Sequence, residues 1–187
     1  MQLDAIEHFT EIVLPALSDY HYAEEALTRA IVEKQDEPAK TKARHTALRL
    51  GGSATLYLHH FADVMANRPP DGFPNFNGKA KAVREWLASH NENAGTDLAI
   101  LEDIADALKH AILTHRLPRQ VEHAEQVLAI DRAYGSGNSG DGKYGGIDEV
   151  WVLAKSGKRT LTKVLTSVAD LWKPLFYKEA LCGLPRA

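Results

Sequence analysis

Apolar residues recur at intervals of three and four from the first turn onward, which is the period of an amphipathic helix. Leu3, Ile6, Thr10, Val13 and Leu17 form the first stripe. Pro15 falls inside it and cannot donate to the preceding turn, so the pattern predicts a kink or a new helix with Pro15 in its first turn. Leu17, Tyr20, Ala23, Leu27 and Ile31 carry the stripe to about Gln35. The Asp36-Glu37-Pro38 step ends it, because a residue before proline is pushed out of helical space. A long helix is expected over Ala39 to Asn67, with Ala43, Ala47, Leu50, Ala54, Leu58, Phe61 and Met65 on its apolar face. Its small residues, with Gly51-Gly52 alongside, admit a close neighbour at some cost in helix propensity. Residues 68–78 hold three prolines and two glycines and read as a loop.

A shorter helix over Lys79 to His90 buries Val83, Trp86 and Leu87. The next starts at Thr96 as N-cap, with Asp97 favourable in its first turn. It is expected to run to about His115, with Leu98, Leu101, Ile104, Ala105, Leu108 and Ile112 facing the core and Pro118 ending it. Gln120 to Ile130 fits a short helix or a strand, and we read it as helix. Residues 134–146 contain six glycines in thirteen positions, a composition that predicts a flexible connection. Glu149 to Ala154 is strand-like, and a turn over Lys155 to Lys158 leads into Arg159–Thr162, so the pair reads as a β-hairpin. A closing helix carries Val164, Leu165, Val168, Leu171, Trp172 and Leu175, bent near Pro174. The expected fold is mainly α in one domain across 1–187. It comprises a helical bundle over 1–130, a glycine-rich loop over 134–146, and a hairpin plus helix over 147–182.

Composition narrows the class. At 187 residues, with 44% hydrophobic and 25% charged residues, the chain is long enough to bury a core. A net charge of −3 argues against a protein dedicated to coating nucleic acid, although Lys155, Lys158, Arg159 and Lys163 form one basic cluster through which nucleic acid could bind. The single cysteine, Cys182, excludes an internal disulfide framework and fits a reducing compartment. No run approaches the ~20 apolar residues of a spanning helix, and the acidic start lacks a secretion signal's pattern. A soluble cytoplasmic protein is expected.

The candidate chemistry lies on two helices. Residues four apart stack on one helical face, so His59 with Asp63 and Asp106 with His110 could each act as a unit. Converging from two helices, they could hold a divalent transition metal, with Glu102 and Asp103 as further ligands or Glu102 as a base. At 100° per residue, however, Asp106 and His110 lie almost opposite the apolar face of their helix, and His59 and Asp63 lie on the flank of theirs. Surface pairing with no cofactor is therefore the leading expectation. The segment Gly137 to Lys143 matches a phosphate-loop pattern until Tyr144 replaces its Ser or Thr. It also leads toward a strand rather than a helix N-terminus, so a connector is the expectation. Trp86, Trp151 and Trp172 all fall on apolar patterns and read as core.

The stretch Tyr57 to Asp63, followed by Asp103 to His110, a late hairpin and a closing helix, resembles a family of small bacterial helical proteins. The outline is distantly similar to HEPN-like helical bundles, some of which are ribonucleases. That resemblance covers about residues 40–180 and implies a helical bundle. The Arg-x(4–6)-His spacing of such ribonucleases occurs at Arg84/His90 and Arg116/His123. By that resemblance Arg84 would steady a phosphate and His90 would act as general acid or base. Both spacings are short, and the polar residue expected after the arginine is Glu85 in one and Leu117 in the other. The leading expectation is a protein that works by association, as a homodimer through the Ala43–Ala54 face or with a protein partner. A metal-dependent hydrolase and a HEPN-like ribonuclease are the alternatives.

Overall fold

The computed structural model describes residues 4–90, 95–110, 119–130 and 149–176. The chain opens with α1 (Ala5–His8), a π-helical turn (Phe9–Val13) and α2 (Leu14–Val32). Asp4 caps α1: its side chain accepts from the Glu7 backbone N–H at 2.8 Å, and Glu7 reaches back to the Asp4 N–H. The π turn ends two residues before Pro15, which lacks an N–H and whose ring crowds the carbonyl four residues back, that of Glu11 inside the turn. It also turns the helix face. Ala5, Phe9 and Val13 are buried, while Ile6 and Thr10 of the expected stripe are exposed.

Helix α3 spans Glu37–Asn67 and begins two residues earlier than the sequence suggests. Asp36 is its N-cap, accepting from the Ala39 N–H at 2.9 Å, and Pro38 sits in the first turn, where its missing N–H costs nothing. Helices α4 (Ala80–His90) and α5 (Gly95–His110) follow. Leu108 departs from the expected core face and is 39% exposed. The expected extension toward His115 lies outside the described residues, as do the 134–146 loop and Cys182.

Residues 120–130 correct the helix expectation. They form a short 3-10 turn (Ala124–Gln126) and strand β1 (Val127–Ile130). The partner that decides this is distant in sequence: β1 pairs antiparallel with β2 (Glu149–Ala154), Val127 opposite Val152. The Gln126 amide also donates to the Leu153 carbonyl at 2.7 Å. β3 (Gly157–Thr160) completes a three-stranded antiparallel sheet in the order β1-β2-β3. β3 stops two residues short of expectation because Thr160 becomes the N-cap of α6 (Leu161–Trp172), its hydroxyl accepting from the Lys163 N–H. A 3-10 turn (Lys173–Phe176) replaces the expected bend at Pro174. The protein is therefore mainly helical, with a late antiparallel hairpin and a closing helix, as its pattern predicts.

The core joins both ends of the chain. Phe61 of α3 packs against Phe9 at 5.0 Å and edge-on against Trp172 at 4.9 Å between ring centroids, and Phe176 closes the cluster. Trp151 and Trp172 are buried as expected. Trp86 is only half-buried, and it packs with Phe73 and Phe76 in a smaller cluster under the 68–78 loop.

Candidate functional site

Helices α3, α4 and α5 bring most of the candidate residues to one junction, in pairings different from those the spacing suggests. His59 is not on a solvated flank but 7% exposed, on the side of α3 that faces its neighbours. Its Nδ1 is buried without a hydrogen-bond partner among the described residues. Burial first, then the positive charges of Arg84 and Lys109, hold its pKa down to about 4, with Asp106 acting in the opposite direction. At neutral pH it is an uncharged imidazole. Asp63 bonds instead to the exposed His60, Nδ1 to Oδ2 at 3.1 Å, three residues back rather than four.

The α5 carboxylates are committed to arginines. Arg84 of α4 donates to Glu102 at 3.2 Å, with 15% of the arginine side chain exposed. Arg119 reaches both Asp103 at 3.2 Å and Asp106 at 3.3 Å, and Arg119 and Asp103 are nearly buried at 11% and 12%. Asp103 also accepts the backbone N–H groups of Gln120 and Val121. Asp103 therefore gathers up the segment that follows α5, one turn before the strand β1 begins. Nothing in the apolar pattern marks Arg119 as its partner. The three- and four-residue steps to Asp106 from Asp103 and Glu102 are the signs in the sequence that α5 carries carboxylates on a shared side.

His110 is exposed at the end of α5, so Asp106 and His110 do not form the expected pair. Among the described residues, no three His, Cys, Asp or Glu side chains are grouped to hold a metal ion. His59, Asp63, Asp106 and His110 thus do not assemble the expected ligand set, because Asp63 and Asp106 are taken by His60 and Arg119. The side chain of His90 and all of Arg116 lie outside the described residues, and His123 is exposed. Two of the four residues of the basic cluster are paired: Lys155 bonds Glu122, and Arg159 lies 3.3 Å from Asp97 as an ion pair outside hydrogen-bond geometry.

A second polar cluster has no signature in the apolar spacing. Glu24 of α2, 2% exposed, accepts from the Tyr20 hydroxyl at 2.8 Å, the Thr162 hydroxyl at 2.6 Å and the Val150 N–H at 3.1 Å. It ties α2 to β2 and α6. Burial and the Glu24 charge push the Tyr20 hydroxyl well above its ordinary pKa, so it stays a donor.

No protein-family model matches the chain, and no curated protein or solved structure matches it.

Proposed function

We propose that the chain acts by association, with another copy of itself or with a protein partner. The observation that carries this reading is a set of large apolar side chains left exposed on α2 and α3. Tyr22 is 65% exposed, Val32 63% and Tyr57 47%. Aromatic side chains exposed to that extent beside charged neighbours are the usual anchors of protein interfaces. The ion network of α4, α5 and Arg119 supports the reading from the other side, since its carboxylates are engaged in holding the two helices and the 119–121 segment together. Part of the small-residue face is engaged as well: Ala47, Gly51 and Ala54 are buried inside the chain, which leaves its outer end near Ala43 for a partner. The test is a photo-reactive residue at position 22, irradiated in cells, with the adduct identified by mass spectrometry. A cross-link to a second copy or to one defined protein is expected. Absence of any adduct contradicts the reading.

A second reading, phosphodiester cleavage by a HEPN-like ribonuclease, draws on the neutral His59 beside Arg84. In it Arg84 holds a phosphate and His90 moves the proton. It requires RNA cleavage by the parent protein that Arg84→Ala and His90→Ala each abolish.

A further inference from the structure

We propose that the groove between α2 and α3 receives the acidic N-terminal helix of a second copy of this chain. This rests on the association reading above and specifies its partner. The groove encloses about 350 Å³, floored by Ala23, Ala30, Ala39 and Ala43. Alanines on both walls let a third helix settle into the trough between two antiparallel ones, where ridges of one helix enter the hollow of the pair. Arg29 and Lys42 stand on its rim, exposed, and neither makes an ion pair among the described residues. No carboxylate lines the groove. Tyr22, 65% exposed, lies one helical turn before Ala26 on the same side and extends the apolar floor.

Charge and surface on the same chain supply the occupant. Outside the buried Glu24, residues 4–28 contain five Asp or Glu and no Lys or Arg, whereas residues 29–49 contain six Lys or Arg and three Asp or Glu. The acidic stretch exposes two large apolar side chains, Ile6 at 42% and Leu14 at 37%, flanked by exposed Glu7 and Glu11. It is an amphipathic acidic helix, the complement of a basic-rimmed apolar groove. In a two-fold dimer each copy gives its helix to the other's groove, so one contact implies its reciprocal.

That reciprocity makes the test a charge swap, read by light scattering with circular dichroism to verify the fold. Arg29→Glu/Lys42→Glu gives a copy whose groove and helix are both acidic. Glu7→Lys/Glu11→Lys gives one in which the groove rim and the helix positions that meet it are both basic. Neither variant should exceed the 20.6 kDa monomer mass alone, while their equimolar mixture should return to the doubled mass of the parent dimer. Both contacts are then restored at once. A parent dimer that both variants retain overturns the groove and leaves association standing. A parent that stays monomeric at every concentration overturns both the groove and self-association, and the photo-cross-link then decides whether another protein binds.

Discussion

Gly51 of α3 faces Leu161 of α6 so closely that a Cβ built on it would stand 2.7 Å from the leucine Cδ2 and 3.0 Å from the Tyr20 ring. The ring cannot swing aside freely, because its hydroxyl is held by Glu24. Gly51→Ala is therefore expected to destabilise by about 1–2 kcal/mol through overpacking, in spite of alanine's better helix propensity. Its neighbour supplies the control. A Cβ at Gly52 meets only Leu108 at 3.5 Å, ordinary contact, so Gly52→Ala should stabilise by about 0.5–1 kcal/mol. Urea unfolding of the two variants checks this, and equal shifts would contradict the packing described.

His59 sets a dependence on pH. Its folded pKa of about 4 lies below the ordinary 6.5, so the unfolded chain binds the proton first as pH falls. Its contribution is at its best above about pH 6.5 and is lost between there and about pH 4. The full loss is about 3 kcal/mol, from a shift worth about 1.4 kcal/mol per pH unit. His59→Leu should flatten that part of the stability profile, because it removes both the proton and the orphaned Nδ1. Denaturation midpoints at pH 7.5 and 5 measure it, and an unchanged pH slope in the variant would refute the assignment.

The helical stripes of the bundle, the closing helix and the hairpin could be read from spacing because an apolar face is written into local sequence. Four features could not. The π turn at Phe9–Val13 changes which residues face inward, so Ile6 was placed in the core and emerges exposed. Strand β1 depends on Val152 and Leu153, more than twenty residues ahead, and its short apolar run looks alike as helix or strand. The histidine–aspartate pairs were found at the right helical spacing, but spacing cannot say that Asp106 prefers Arg119, which lies beyond the end of its helix. Buried Glu24 was invisible for a related reason: its three donors come from α2, β2 and α6.

Arg119 should be costly to remove. Arg119→Ala leaves Asp103 buried with its backbone donors but without a countercharge, and the expected loss is about 3 kcal/mol. Asp106→Asn, which removes the more exposed of the two partners, should cost under about 1 kcal/mol. Urea midpoints rank the pair, and a reversed order would show that Asp106 rather than Asp103 anchors the arginine.

Glu24→Ala strands the Val150 N–H and leaves the Tyr20 and Thr162 hydroxyls only their own 3.4 Å contact, and should cost about 3 kcal/mol. Because Val150 opens β2, amide exchange at Val150 should accelerate in this variant more than exchange within α3. Uniform acceleration would mean that Glu24 does not hold the sheet to the bundle.

The most direct measurement is the light-scattering mass of the unmodified chain over a wide concentration range at low and at high salt. Association through an acidic helix and a basic-rimmed groove predicts a rise from 20.6 kDa toward twice that value, with the midpoint moving to higher concentration as salt is added. A mass that stays at 20.6 kDa throughout, or a dimer indifferent to salt, would contradict it.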